Sequence, residues 1–504
     1  MMQPPLPRPD DLRRHAMARA LASLNSGRFA EAMGLCDDLL AADPTSFEAL
    51  RLGASARLLA GLSRDAVPLF ERALAQKPDD PELLSNFGIA LQDCGSIQRA
   101  VVQLRKAAAR RPGCPDTLVN LACALRRAGE PEEAAAVCER ALTLEPRHAG
   151  AHYNRGNALC DRRRLAQAIA CYERALALAP DREDILGSLA NALLLSGDFR
   201  RGWQVNESRF RRSSYRGWPG LPHGITRWDG RQPPAGELLL VAEQGLGDAI
   251  QFIRYGKLLL QSGIRPILQC DPRIVRLVSS SGCFAAVVPF GSVPVGTAAQ
   301  WFPLLSLPLL FGTELLIIPS GVPYLSADAE LIARWSTFLR RDGSLKVGIA
   351  WQGNPRTEID HLRGRSVPLH EFAPLASIPG ITLYSLQKGA ALEQLQAVPF
   401  ESRIIVPQPE IDTGPHAFMD TAALITQLDL VITSDTSIAH LAGALGRPVW
   451  VALQYVPDWR WLLDRGDSPW YPSMRLFRQP RPGAWGEVFE TMARALRERG
   501  ITRF

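Results

Sequence analysis

The chain has 504 residues, 46% apolar and 21% charged, a length that predicts roughly three domains of about 150 residues each and a composition that excludes global disorder. Its formal net charge of +6 is small and dispersed, which excludes the concentrated basic face that a nucleic-acid partner requires. Nine cysteines, an odd number with no C-x-x-C, exclude a disulfide framework and a zinc knuckle and predict buried thiols in a reducing, cytoplasmic setting.

Residues 1–12 are proline-rich without an apolar stretch, so a flexible amino terminus with no secretory signal is expected. From residue 13 one unit repeats. Pro44, Pro78, Pro112, Pro146 and Pro180 are 34 apart, and Ala32, Ala66, Ala100, Ala134 and Ala168 keep the same beat. Four residues beyond each alanine stand Cys36, Phe70, Leu104, Cys138 and Tyr172. Gly27, Gly61, Gly95, Gly129 and Gly197 mark turns, with Arg163 in place of glycine in the fifth copy. Each copy predicts a helix, a turn, a second helix and a proline that stops it. The alanine permits close helix approach, and the larger residue one turn on fills the groove. Period and pattern resemble the tetratricopeptide repeat over residues 13–182, with a degenerate sixth copy to about 210. Stacked copies predict an α-solenoid over 13–212 that offers a concave surface to a peptide or protein, with spacing or self-association as the alternative. Asn86, Asn120, Asn154 and Asn191 recur near one phase of the first helices as polar candidates for that surface.

Residues 213–236 are rich in Gly, Pro and Trp and predict a packed connector. Short apolar runs separated by helical segments then predict an α/β region with parallel sheets. A first half, 237–325, carries strands at Glu237–Ala242, Arg265–Cys270 and Phe284–Pro289 and a helix at Asp248–Ser262. A linker follows at 326–345. A second half, 346–504, carries strands at Lys346–Trp351, Ile381–Leu386, Arg403–Val406, Leu430–Thr433 and Val449–Leu453, and a terminal helix at Ala484–Arg499. The most apolar stretch, Trp301–Pro319, is interrupted by Pro303, Pro308 and Glu314 and falls short of the roughly 20 residues of a membrane span.

Three clusters follow predicted strands, where open α/β sheets bind ligands. In Glu243-Gln244-Gly245-Leu246-Gly247-Asp248, the glycines permit close backbone approach to a ligand. The alternative is that Asp248, at the helix start, is an N-cap carboxylate with a structural role. Ser434-Asp435-Thr436-Ser437-Ile438-Ala439-His440 opens a helix and fits a diphosphate or sugar hydroxyls, or else is a capping cluster with a buried histidine. Trp351-Gln352-Gly353-Asn354, followed by Arg363 and Arg365, offers cations for a diphosphate, joined by Lys388; a solvated basic face is the alternative. Pro457-Asp458-Trp459-Arg460-Trp461 and Trp470-Tyr471 fit either a nucleobase or helix packing. No G-x-x-x-x-G-K-[ST], G-x-S-x-G or D-x-D occurs, which argues against a P-loop NTPase, an esterase-type hydrolase and a metal-dependent sugar-nucleotide site.

At EQGLGDAIQFIRY, GIAWQGNP…RGRS, LYSLQKG and ITSDTSIAHLAGALGRPVW the chain resembles the heptosyltransferase-like glycosyltransferases, and with its repeats it resembles bacterial proteins that fuse tetratricopeptide repeats to such a domain. The resemblance implies a GT-B pair of Rossmann-like halves, acceptor side first and nucleotide side second. It implies inverting, metal-independent transfer of a hexosyl or heptosyl group from a nucleotide-diphospho-sugar, without a cofactor. Asp248 maps onto the general base, with Gln244, Gly245 and Gly247 beside the acceptor. Asp435, Thr436 and His440 map onto the donor turn, with Ser437 where the family has glycine; Arg363, Arg365 and Lys388 stand in for the family's donor-phosphate lysine, and Asn354 joins them on the donor-binding side. The alternative is a repeat scaffold whose α/β region is catalytically inactive; Asp248 and His440 together favour the enzyme.

Overall fold

Left-handed turns set the rhythm of the helical part. Gly27, Gly61, Gly95, Gly129 and Gly197 have φ between 73° and 86°, a backbone that ends a helix without a Cβ clash. Arg163 takes the same conformation at φ 59°, a strain of roughly 1–2 kcal/mol for a residue with a Cβ. The structure, a computed structural model, describes residues 9–211, 225–234, 236–292, 298–354, 358 and 364–499. It divides into two units, 1–185 and 186–504, so the expected join at 213 lies inside the second.

The first unit is a stack of helix pairs: α1 (Pro9–Asn25) with α2 (Phe29–Ala42), α3 (Phe47–Leu59) with α4 (Ser63–Gln76), α5 (Pro81–Asp93) with α6 (Ile97–Arg110), α7 (Pro115–Arg127) with α8 (Pro131–Leu144), and α9 (Ala149–Asp161) with α10 (Leu165–Leu178). A twelve-helix series is completed by α11 (Glu183–Leu195) and α12 (Phe199–Asn206), the latter wholly in the second unit. The periodic alanines are at most 1% exposed. In two copies the bulky residue one turn on fills the space left by a glycine of the preceding helix. A Cβ at Gly88 would come within 2.5 Å of Leu104, and one at Gly156 within 2.6 Å of Tyr172. From α1 to α9, each odd-numbered helix also touches the next odd-numbered one, so these first helices line one face of the stack. Among the described residues no helix is long and apolar enough to cross a membrane.

The second unit holds two sheets in which every named pairing is parallel. The first sheet has the order β1-β5-β2-β3-β4, from β1 (Thr226–Arg227), β2 (Glu237–Val241), β3 (Pro266–Cys270), β4 (Ala286–Pro289) and β5 (Ala298–Pro303). The second has the order β11-β10-β9-β6-β7-β8, from β6 (Leu345–Ala350), β7 (Ile381–Ser385), β8 (Ile404–Ile405), β9 (Leu430–Ser434), β10 (Val449–Leu453) and β11 (Met474–Arg478). This is the doubly wound order 3-2-1-4-5-6, and the first sheet follows its first four strands. The connector adds the edge strand β1 and buries Trp228 against Phe302, ring centroids 5.5 Å apart.

Both strand sets are apolar because helices cover their faces. In the second sheet Val347, Ile349, Leu383, Ile432 and Trp450 pack with Val488, Phe489, Met492 and Leu496 of the terminal helix, Trp485–Arg499. Winding reverses between β2 and β5 in one sheet and between β6 and β9 in the other. Chain leaving those strands is where a ligand crevice forms, and the three sequence clusters leave β2, β6 and β9.

Candidate functional site

The floor of the first crevice is charged and dry. Glu243, just past β2, accepts from Arg209 at 2.8 Å, and its other oxygen accepts from the Leu305 amide at 3.4 Å beyond β5. Arg209 follows α12 and also donates to Ser306 Oγ at 2.7 Å and Glu207 at 2.6 Å. The side chains of Arg209 and Glu243 are 4% and 2% exposed. The segment after the last repeat helix therefore plugs the crossover point of the first sheet.

Three residues after Glu243, helix α13 (Leu246–Phe252) begins. Asp248 Oδ2 accepts from the Gly245 amide at 3.0 Å, so this carboxylate does cap the helix. Its Oδ1 accepts from Arg460 of the second half. Gln244 and Gly245 are exposed beside it. Gly247 allows contact between the halves: an added Cβ would lie 3.1 Å from His440 Cδ2 and 3.5 Å from Ser437 Cα. Glycine at 247 thus serves helix approach.

Arg460 leaves the segment after β10 and is 8% exposed. Beyond Asp248 it donates to Asp458 Oδ1 at 2.8 Å and to Gln251 Oε1, and it lies 4.4 Å above the Trp459 ring. In the sequence this stretch stands out only as an aromatic run. Trp459, Trp461, Trp470 and Tyr471 are at most 9% exposed and pack inward. Trp459 stands edge-on to Trp203 of α12, centroids 5.2 Å apart, and Trp470 lies 5.9 Å from Phe252 of α13. These rings join the last repeat helix to both halves.

On the second sheet, Ser434 ends β9, and Thr436 precedes helix α14 (Ser437–Ala444) in extended conformation without a side-chain cap. Thr436 Oγ1 lies 3.2 Å from Thr433 Oγ1. Asp435 is 8% exposed. His440 is a buried histidine: Nδ1 lies 3.0 Å from the Tyr471 hydroxyl, and its ring stacks on Trp461 at 5.5 Å. After β6, Gln387 braces the loop. Its Oε1 accepts from the Trp351 and Gln352 amides at 3.0 and 2.9 Å, and its Nε2 donates to Gln352 O at 3.0 Å. A side-chain amide with both ends used on a neighbouring strand's loop is invisible to spacing arguments. The Arg365 guanidinium lies against Gly353, 3.3 Å from where a Cβ would stand. Asn354 is exposed at the loop end. Arg363 lies outside the described residues. Lys388, which follows β7, donates to the Asp412 carbonyl at 2.7 Å; β7 is separated from β9 by β6 in the sheet.

The site therefore gathers Asp248, Asp435, Asp458 and Arg460, with Arg365 acting electrostatically on Asp248 and Asp435. Burial pushes Asp435 up to about 7, helped by the Asp458 charge and opposed by Trp461, Arg460 and Arg365. Burial raises Asp248 above the usual carboxylate range, against the pull of Arg460. Burial, with Arg460 nearby, pushes His440 down to about 3.

That shift has a measurable sign. Between about pH 6.5 and 3 the unfolded chain takes up a proton that folded His440 refuses, so its contribution is whole above pH 6.5 and fades as pH falls. A His440→Gln variant lacks this titration. In urea unfolding from pH 7.5 to 4.5, wild type should lose stability relative to the variant as pH drops; parallel curves would contradict a neutral buried imidazole.

The tetratricopeptide-repeat family matches residues 85–151, 119–183 and 153–201. Protein FlbA of Caulobacter vibrioides is 27% identical over 331 residues, 61% of this chain and 54% of FlbA, so the match spans about half of that relative. Among solved structures the chain is similar to MamA (21% identity, TM-score 0.30, 32% of this chain and 94% of MamA). It is also similar to YrrB, described as a TPR protein with an unusual peptide-binding site (19%, 0.31, 34% and 89%). A thermophilic TPR protein from Thermus thermophilus matches at 23% identity and TM-score 0.31, over 36% of this chain and 99% of its own. The amino-terminal part is a tetratricopeptide-repeat array, followed by an α/β region.

Proposed function

We propose that the α/β region is a GT-B-type glycosyltransferase that moves a sugar from a nucleotide-diphospho-sugar to an acceptor hydroxyl, and that the repeats select the acceptor, a protein or a glycan. The observation that carries this reading is the meeting of two crossover points. Asp248, past β2, and the turn past β9 lie within one network, linked by the Asp248–Arg460 ion pair and the Gly247–Ser437 approach. In this reading the acceptor oxygen attacks the anomeric carbon from the face opposite the diphosphate, and its proton passes to Asp248. The carbon–oxygen bond to phosphate breaks with inversion. Amides opening α14, uncapped by Thr436, and Arg365 take the charge of the leaving diphosphate. Asn354 and Lys388, which follow β6 and β7, are assigned to the donor side in this reading; Arg363 lies outside the described residues. Asp435, whose carboxyl burial raises, and His440, held by Tyr471, set the floor beneath the turn.

The test is a thermal-shift panel of nucleoside diphosphates on the full chain. One site filled at 100 times its dissociation constant stabilises by about 2.7 kcal/mol. A shift with one base and none with the others supports the reading. A flat panel would instead make the chain a repeat scaffold with an inactive α/β region.

A further inference from the structure

We propose that Arg460 is the positioning residue of this site: reaching from the second half, it holds the Asp248 carboxylate in one orientation and in its ionised form at the junction of the two halves. The inference rests on the reading of Asp248 as the base. Its support is geometric. Each arm of the guanidinium is committed, Nε to Gln251, Nη1 to Asp458 and Nη2 to Asp248. Asp458 is itself fixed, because it also accepts from the Arg460 amide at 3.0 Å. The planar group is pressed over Trp459 and lies 5.9 Å from the Phe252 ring, so it has little rotamer freedom. A fork of this kind orients a carboxylate where an ammonium only attracts it. With Gly245 holding Oδ2, both oxygens of Asp248 are fixed, one by each half. The charged groups facing Asp248 are Arg460, Asp458 and Arg365; Asp435 and His440 face Arg460 from α14 and the turn before it. Without Arg460, the Asp458 charge acts unopposed by it on Asp248 and Asp435.

Carbodiimide coupling of an amine to carboxyl groups reads this without a known acceptor, because the reagent attacks the protonated acid. The full chain is labelled across pH 4–8, and the Asp248 peptide is quantified by mass spectrometry in wild type, Arg460→Gln and Arg460→Lys. Removing the charge should move the Asp248 midpoint up by at least about one pH unit. Lysine should keep the wild-type midpoint, yet label severalfold faster because an ammonium lacks the planar anchoring to Gln251 and Asp458 that aims Nη2 at Asp248. An unchanged midpoint in Arg460→Gln overturns the proposal. If tryptophan fluorescence shows that variant to be unfolded, Arg460→Lys decides alone, and a wild-type labelling rate overturns it. A flat nucleoside diphosphate panel on wild type sinks the transferase reading while leaving the labelling result intact, so the two failures are distinct.

Discussion

Asp248→Asn should lower sugar transfer by about 10²–10⁴-fold, the usual contribution of a positioned general base, while nucleoside diphosphate affinity stays within about twofold of wild type. The amide keeps the carboxylate's shape and still offers an oxygen to Arg460, but its NH₂ cannot accept from the Gly245 amide. That lost cap weakens α13 by about 1 kcal/mol, too little to unfold a unit that packs the helix against α14. Binding is spared because the proposed donor contacts lie on the turn past β9 and on Arg365. Incubating the variant and wild type with sugar nucleotides and candidate acceptors, with products followed by mass spectrometry, measures the loss. Retained transfer alongside retained binding would make Asp248 a cap and nothing more.

The repeats were legible because one physical demand recurs every 34 residues: a small residue where helices touch and a left-handed turn between them. Even the exception was legible, since Arg163 keeps the glycine's conformation. Strands buried on both faces, such as Glu237–Val241 and Leu430–Ser434, announced themselves as apolar runs. β5, Ala298–Pro303, did not, because it opens a stretch whose prolines argue against regular structure. β11, Met474–Arg478, is an edge strand with arginines at two of its five positions. The helix expected over 248–262 breaks after Phe252 and resumes at Tyr255, where the Arg254 side chain is drawn off to the carbonyls of Pro319 and Trp470.

The site divided along the same line. Asp248 was visible as a carboxylate at a glycine-bounded helix start, a local signal. Arg460 is 212 positions away, and its partner could only be found by folding the chain. One clue stood in the sequence, an Asp and an Arg embedded in Pro457-Asp458-Trp459-Arg460-Trp461. Charges among so many aromatics are buried, and buried charges need partners. Ser437 stands where the resemblance implies glycine, whereas the tight contact in the structure is at Gly247, on the opposite half.

Arg209→Ala should destabilise the second unit by about 3–5 kcal/mol, the cost of leaving a buried carboxylate without its partner. Glu243 would then face Ser306 and the Leu305 amide in a space where the pair is at most 4% exposed. Burial already raises the Glu243 carboxyl above its ordinary range even with Arg209 beside it. The variant should therefore recover stability as pH falls from 7 to 5, because the folded state then binds a proton that the unfolded state does not. Replacing both partners, Arg209→Met with Glu243→Leu, should be near neutral or better, since the desolvation of two charges is also removed. All eleven tryptophans lie at or beyond residue 203, so tryptophan fluorescence in urea follows the second unit without interference from the repeats, whose unfolding is followed separately by circular dichroism. If Arg209→Ala unfolds with wild-type midpoint and no pH recovery, the segment after the last repeat helix is not what closes the first sheet.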